Sequence, residues 1–215
     1  MSRANELCRR AGFFYAPDSG APLNAALFSA YDVIGSFNRK EIFHMNKSTG
    51  AAGFPLLSVL RLRPQAAAAV AGSESFPDIS GVVRFYQTNR GVVVRAEISG
   101  LPSGSSPCGE RIFGFHIHEG TSCSGSMDDP FANAMSHYDQ NGCAHPGHAG
   151  DLPPLFGNAG FALSVFLTDR FSVEEITGKT VIIHDHPDDF TTQPSGNSGT
   201  KIACGVIQRA GGCCR

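Results

Sequence analysis

Imidazole and carboxylate groups are concentrated in two short stretches of this chain, "FHIH" at Phe115–His118 and "HPGHAGD" at His145–Asp151. The residues of ligand type are, in chain order, His116, His118, His137, His145, His148, Asp151 and His184. Imidazole nitrogens without thiolates suit copper or zinc, whereas calcium and magnesium prefer oxygen ligands. The second stretch, joined by His137, has the nitrogen and oxygen donors of a tetrahedral zinc site. The sequence therefore predicts metal binding.

Strand-like spacing places several of these histidines together. Side chains two residues apart on a strand point to the same face, so His116 and His118 can converge on one ion. His184 ends the apolar run "TVIIH" and can meet them from a neighbouring strand. An isolated histidine is more often a surface or core residue than a ligand. The clustering of histidines between His116 and His186 favours ligation here.

The region from residue 65 to residue 209 reads as a series of short strands. "ISGVVRFYQT" and "GVVVRAEISG" are rich in β-branched residues and are separated by "NR", which predicts a hairpin. "AAAAVAG", "RIFGFHIHEG", "GFALSVFLTD", "KTVIIHD" and "KIACGVIQ" predict further strands, and "SVEE" predicts a capped helical turn. Such strands in a chain with 25 glycines and 17% charged residues predict an antiparallel sandwich or barrel.

Two connections in this region have no clear periodicity. They run from Glu119 to Asn158 and along "HPDDFTTQPSGNSG" from His186. Long loops without regular structure inside a compact domain are usually functional or disordered. The first contains several of the histidines, so we interpret it as functional.

Four motifs together resemble the copper–zinc superoxide dismutase family, of bacterial type: "FGFHIHEG", "GHAGDL", "TVIIHDHPDD" and "SGNSGTKIACGVI". The resemblance covers about the last two-thirds of the chain. It implies an all-β fold, an eight-stranded Greek-key antiparallel β-barrel or immunoglobulin-like sandwich with long metal-binding loops.

The resemblance also implies a role for each residue of ligand type, with one copper and one zinc per chain. The implied copper ligands are His116, His118, His137 and His184. The implied zinc ligands are His137, which bridges the two metals, His145, His148 and Asp151. Asp188 matches the family's carboxylate that connects a copper ligand to a zinc ligand without binding either metal. Cys123 and Cys204 match the family's disulfide.

The implied reaction is the dismutation of superoxide to dioxygen and hydrogen peroxide, by redox cycling of a histidine-bound copper that is bridged to zinc. The implied catalytic residues are His137, which carries a proton, and Lys201, which guides the small anion. Lys201 stands where the family has an arginine, so the charge is kept and the planar fork is lost. The alternatives are a non-catalytic module that stores or delivers copper or zinc, and a structural domain with only the zinc loop filled.

Three features depart from the family pattern or have no role in it. The spacing between His137 and His148 is short, and the segment after Asp188 is short and carries almost no charge. Cys143 is an extra thiol beside the zinc loop, and we expect it to be a small buried apolar residue rather than a ligand. We expect His186 to be a solvated loop residue.

The segments that flank the predicted domain, residues 65–209, have less regular sequences. Residues 1–50 are interpreted as an N-terminal extension. The two alternatives for it are a disordered segment and a mis-assigned start, with translation beginning at Met45. Residues 51–64 are interpreted as a short helix or linker, and residues 210–215 as a tail. Cysteines without an assigned role are Cys8, Cys108, Cys143, Cys213 and Cys214.

Composition limits the partners of the chain. A formal net charge of −2 gives no basis for binding nucleic acid, and no apolar run is long enough for an integral membrane segment. The expected partner is the superoxide anion, and the expected state is a monomer or a homodimer. Because no signal peptide is recognisable, the predicted compartment is the cytoplasm, or an extracytoplasmic one if the true start differs.

Overall fold

The computed structural model describes residues 53–103 and 111–211. The predicted N-terminal extension, residues 1–50, lies outside the described residues, as do Cys8, Cys108, Cys213 and Cys214. Most of the predicted tail also lies outside them. The domain boundaries given above stay predictions.

Nine strands, two short helices and one 3₁₀ turn form the described part of the chain. The strands are β1 (Ala66–Gly72), β2 (Ser80–Thr88), β3 (Gly91–Ser99), β4 (Ile112–Phe113), β5 (Phe115–His118), β6 (Leu155–Phe156), β7 (Ala162–Thr168), β8 (Thr180–His184) and β9 (Lys201–Arg209). The helices are α1 (Leu56–Leu60) and α2 (Val173–Ile176), and the 3₁₀ turn is Ala132–Ala134. In the described ranges, no helix has the length and apolar character needed to cross a membrane.

Seven of the strands form one antiparallel sheet in the order β5-β8-β9-β1-β2-β3-β7, and β4 pairs with β6 in a second, two-stranded sheet. The prediction of an all-β antiparallel fold is confirmed. The predicted hairpin is also confirmed, because β2 and β3 pair directly and Thr88 lies opposite Gly91. Gly91 has a φ of +115°, which a glycine adopts without strain.

The predicted strand "RIFGFHIHEG" is divided into β4 and β5 at Gly114. The Gly114 amide donates to the carbonyl of His186, and its carbonyl accepts from the His184 amide. A β-carbon at this position would press against the side chain of Ser198. The close approach of these segments turns the chain from one sheet to the other, and β5 then pairs with β8.

Alternation along β5 separates the core from the histidines. Phe115 and Ile117 are fully buried in the main hydrophobic core, so His116 and His118 lie on the opposite face of the strand. Each buried side chain of this size stabilises the fold by about 1.5–3 kcal/mol. A register shift by one residue would move the histidines into the core, so this burial fixes their direction.

The outer face of β8 and β9 is covered by a smaller apolar cluster. It contains Phe131, Ala134, Ile182 and Cys204. Cys204 forms a disulfide with Cys123, as the resemblance implied, with Cα atoms 5.7 Å apart. The long connection after β5 is thereby tied to β9.

Helix α2 begins with the capping box that "SVEE" predicts. The Ser172 side chain accepts from the Glu175 amide, and the Glu175 carboxylate accepts from the Ser172 amide. The two contacts satisfy amides at the start of the helix that have no partner within it.

Candidate metal centre

All seven residues of ligand type lie together and are buried. Their ligand atoms fall into two groups, and within each group the atoms lie within 4.8 Å of one another. The four-histidine cluster consists of His116, His118, His137 and His184. The mixed cluster consists of His137, His145, His148 and Asp151. His137 belongs to both clusters, so the two form one continuous site.

Regular strands position three members of the four-histidine cluster. His116 lies opposite Ile182 and His118 lies opposite Thr180 in the β5–β8 ladder, so these side chains share the face that His184 also joins. The regular pairing of β8 with β9 is interrupted between Ile183 and His184, so the register shifts at the third of these histidines. The His116 and His184 ring centroids are 5.0 Å apart.

His137 reaches this face from the long connection, which runs beside β5. The Tyr138 amide donates to the Ile117 carbonyl at 2.8 Å, and the Glu119 amide donates to the Ser136 carbonyl at 2.9 Å. The side chains of Glu119 and Tyr138 meet at Lys179, whose Nζ lies 2.7 Å from Glu119 Oε2 and 4.3 Å from the Tyr138 ring centroid. This cation therefore contacts both the start of the connection and the residue that follows His137.

A tight turn builds the rest of the mixed cluster. Asp151 accepts from His137 Nδ1 at 2.7 Å through Oδ1 and from the His148 amide at 3.0 Å through Oδ2. The Gly150 amide donates to the Tyr138 carbonyl at 2.7 Å. A β-carbon on Gly150 would clash with the Ile117 carbonyl oxygen, so the turn can approach β5 only with glycine there.

Two polar side chains from distant segments hold this turn. Arg170 Nη1 donates to the carbonyls of Pro146, His148 and Asp151 at 3.0, 3.1 and 3.4 Å. Gln193 accepts from the His145 amide at 3.0 Å and donates to the His145 carbonyl at 2.7 Å. Sequence reasoning missed both residues, because no local pattern marks a contact between segments so far apart.

Asp188 connects the two clusters directly. Its Oδ2 accepts from His116 Nε2 at 2.7 Å and its Oδ1 accepts from His145 Nε2 at 2.8 Å. Burial alone would raise the pKa of Asp188, but the hydrogen bonds from His116, the Phe190 amide and His145 outweigh it and lower the pKa to about 2. The carboxylate is therefore ionised and fixes the orientation of one ring in each cluster.

The protonation states suit metal ligation. Burial lowers the pKa of His116 and His118, and burial together with the charge of His116 lowers the pKa of His184 to about 3. These rings are neutral at physiological pH, which is the form that binds metal. Burial acts to raise the pKa of Asp151, yet its hydrogen bond with His137 and the nearby histidines lower it.

Three buried ring nitrogens have no hydrogen-bond partner within the described residues: His116 Nδ1, His137 Nε2 and His145 Nδ1. His145 Nδ1 is 3.1 Å from Asp151 Oδ2, but without hydrogen-bond geometry. In each of these rings the other nitrogen faces a carboxylate. Buried polar atoms without partners are costly, so these atoms fit metal ligation.

The two other imidazoles of the four-histidine cluster lead to the same conclusion. His118 Nδ1 faces the Met135 carbonyl at 2.8 Å, and His184 Nδ1 faces the Gly199 carbonyl at 3.3 Å. Both carbonyls require a donor, so the Nε2 atoms, which are 3.4 Å apart, both present lone pairs. A cation between these two nitrogens would relieve their repulsion.

A cavity of about 480 Å³ opens over the four-histidine cluster, and Lys201 and Met135 line it beside His118, His137 and His184. The Lys201 ammonium donates to Asp129 Oδ2 at 2.8 Å and to the Phe131 carbonyl at 3.2 Å. Lys201, the predicted cation, therefore lines the cavity over the cluster, and its charge is paired with the Asp129 carboxylate. Sequence reasoning missed this partner, which lies 72 residues away in the chain.

The two remaining expectations near the site have different outcomes. His186 is exposed and pairs with Asp185 at 2.8 Å, which confirms it as a solvated loop residue. The expectation that Cys143 is buried was wrong, because its thiol is free and exposed. Residues 140–144 are all exposed, since the chain leaves the domain surface there before it returns at His145.

Comparison with known proteins agrees with this geometry. A sequence model of the family described as "Copper/zinc superoxide dismutase (SODC)" matches residues 79–207. A superoxide dismutase [Cu-Zn] 2 of Aquifex aeolicus is 32% identical over 146 residues, which cover 61% of this chain and 80% of that protein. The Cu-Zn superoxide dismutases of Deinococcus radiodurans and Photobacterium leiognathi are each 34% identical and match 60% of this chain and 78% of their own length. The chain therefore belongs to the copper/zinc superoxide dismutase family.

Proposed function

We propose that this protein catalyses the dismutation of superoxide to dioxygen and hydrogen peroxide with one copper and one zinc per chain. The observation that carries the proposal is the position of His137, which belongs to both clusters. Its Nδ1 contacts Asp151, and its buried Nε2 has no hydrogen-bond partner within the described residues. If Nδ1 gives up its proton, Nδ1 and Asp151 can bind one ion together while Nε2 binds the other, so one ring can serve two ions.

The donor sets assign the metals. The four-histidine cluster offers imidazole nitrogens alone, which suit copper, so His116, His118, His137 and His184 would hold it. The mixed cluster adds the Asp151 carboxylate, which suits tetrahedral zinc, so His137, His145, His148 and Asp151 would hold zinc. When bound, copper supplies one-electron redox chemistry, and zinc supplies charge without redox chemistry. Asp188 would keep His116 and His145 oriented.

His137 would also move a proton. Its Nδ1 lies 2.7 Å from Asp151 Oδ1 in the mixed cluster, where zinc would hold both groups in place, and its Nε2 is buried without a hydrogen-bond partner within the described residues. The ring can therefore accept a proton at Nε2 and return it without changing its orientation. Dismutation consumes two protons for each hydrogen peroxide formed, so a proton carrier at the cavity floor meets a requirement of the reaction.

Lys201 would attract the substrate. Superoxide is a small anion, and a cation in the cavity wall raises its local concentration. The Phe131 carbonyl and Asp129 hold the Lys201 ammonium in place, and Asp129 also offsets part of its charge. The expected attraction is thus weaker than that of an unpaired cation.

That ion pair supports a second candidate, a non-catalytic module that binds copper and zinc for storage or delivery. Such a module needs the ligands but needs no attraction for an anion. It differs from the enzyme only in turnover, so metal binding alone does not distinguish the two.

The deciding experiment measures superoxide removal by protein loaded with copper and zinc, by pulse radiolysis at several ionic strengths. Zinc-only protein and the His184→Ala variant are the matched controls. We expect removal well above the spontaneous rate and a decrease with added salt, because screening weakens the attraction of an anion to Lys201. Stoichiometric binding of both metals without rate enhancement would leave the storage module as the function.

Two further properties are proposals. The protein is proposed to be a monomer or a homodimer, which light scattering of the metal-loaded protein would decide. The proposed compartment is the cytoplasm, although the Cys123–Cys204 disulfide favours the alternative of an oxidising compartment. Fractionation of cells that express the full-length protein would distinguish the two compartments.

A further inference from the structure

Met135 lies at the cavity over the four-histidine cluster. It lines the cavity wall together with His118, His137 and His184. The residue is 62% exposed and borders the proposed reaction space. Its carbonyl accepts from His118 Nδ1, which ties its backbone to the cluster.

The backbone at Met135 is in a conformation that side-chain-bearing residues avoid. Its φ is +64° and its ψ is −146°, a combination that favours glycine. The Met135 amide donates to the Ala132 carbonyl at 3.0 Å, which helps to hold this conformation. Strain of this kind collects at functional sites, and Met135 lines the cavity over the four-histidine cluster.

We propose that Met135 is a modification site, at which hydrogen peroxide leaving the cavity oxidises the thioether to methionine sulfoxide. The proposal rests on the proposed function, which supplies the peroxide. The sulfur lone pair attacks one peroxide oxygen and the O–O bond breaks. Sulfur is oxidised by two electrons and gains that oxygen, and the other oxygen leaves as water after proton transfer.

The product changes the surface of the cavity. Sulfoxide formation converts an apolar, flexible side chain into a polar one, and reductases can reverse it. The wall beside His118 and His137 would carry an added hydrogen-bond acceptor after oxidation. One oxygen atom per chain is taken up, so the Met135 sulfoxide would mark chains that have turned over.

Met127 is the matched internal control. It is 97% exposed and lines a different groove, beside Pro130 and Phe131. Peroxide from bulk solution attacks methionine according to accessibility, so it should oxidise Met127 at least as fast as Met135. Peroxide released at the cavity should oxidise Met135 first. The order of the two rates therefore identifies the source of the peroxide.

The test supplies superoxide to the copper- and zinc-loaded protein in the presence of catalase, which removes peroxide from the bulk. Fragmentation mass spectrometry then measures the sulfoxide at each methionine. In parallel, zinc-only protein is treated with added hydrogen peroxide without catalase. We expect more sulfoxide at Met135 than at Met127 in the first sample and the reverse order in the second.

An equal ratio of the two sulfoxides in both samples would overturn the proposal, as would the absence of Met135 sulfoxide while superoxide is consumed. Superoxide removal is recorded in the same sample. If loaded protein does not accelerate it, the proposed function has failed; if removal is fast and Met135 stays unmodified, only the assignment of Met135 has failed.

Discussion

The two halves of the metal centre are built in different ways. His116, His118 and His184 extend from β5 and β8, where a backbone ladder and buried neighbours such as Ile117 fix their direction. His145, His148 and Asp151 lie in a turn that Arg170 and Gln193 hold through backbone groups. The first half thus depends on the fold of the sheet, and the second depends on a few polar contacts.

Two residues connect the halves and make them one site. His137 belongs to both clusters, and Asp188 holds one imidazole of each. We therefore expect that substitution of a ligand that belongs to one cluster affects one half. Substitution of His137 or Asp188 should affect both halves. Substitution of Arg170 or Gln193 should affect chiefly the half that is built from the turn.

The largest expected effect is the loss of a single metal. His184→Ala should remove copper and superoxide removal while zinc stays bound, because His184 does not belong to the mixed cluster. His148→Ala should have the opposite effect on metal content. Elemental analysis of the purified variants checks both results, and the loss of both metals from either variant would show that the halves do not bind independently.

Asp188→Asn should weaken both halves. An asparagine side chain has one acceptor oxygen, so it cannot accept from both His116 Nε2 and His145 Nε2. Loss of such a partner typically costs about 10–100-fold in metal affinity or activity. Competition with chelators measures each affinity. Asp189→Asn is the control, since Asp189 is exposed and its carboxylate contacts Thr191 and Thr192 rather than the histidines; equal losses in the two variants would contradict the role of Asp188.

Arg170→Ala should affect the loop-built half alone. The variant loses the donor to three carbonyls of the turn, so zinc affinity should fall while the copper affinity of the four-histidine cluster changes little. Hydrogen exchange should speed up at Gly147 and Gly150 and stay slow in β8. Arg90→Ala, at an exposed position in the β2–β3 turn, is the control. Unchanged exchange at the two glycines would count against this support.

Asp129→Asn should have the smallest effect, an increase in rate. Removal of the carboxylate leaves Lys201 less neutralised, so superoxide removal at low ionic strength should rise by less than about tenfold. The gain should vanish near 1 M salt, where the Debye length is about 3 Å. Asp128→Asn removes the same charge from an exposed neighbour; an equal gain in that variant would rule out a specific effect through Lys201.

The same division explains what the sequence could predict. The strands other than β6 and the seven residues of ligand type were predicted, because strand alternation and local motifs are properties of neighbouring residues. Strand β6, only two residues long, lies in the stretch that was interpreted as a loop without regular structure. The end of β4 at Gly114 was not, since it depends on contacts with Ser198 and His186. Arg170, Gln193 and Asp129 were missed for the same reason. The burial of Cys143 was predicted wrongly, because exposure depends on the path of the loop.

The central claim is that the two clusters form one site through His137. Electron paramagnetic resonance of protein loaded with Cu(II), recorded before and after zinc is added, tests it most directly. We predict that zinc changes the copper spectrum of the unmodified protein, because in the proposed assignment both ions share the His137 imidazole, and that His137→Ala abolishes this change. A copper spectrum that does not respond to stoichiometric zinc would contradict the account.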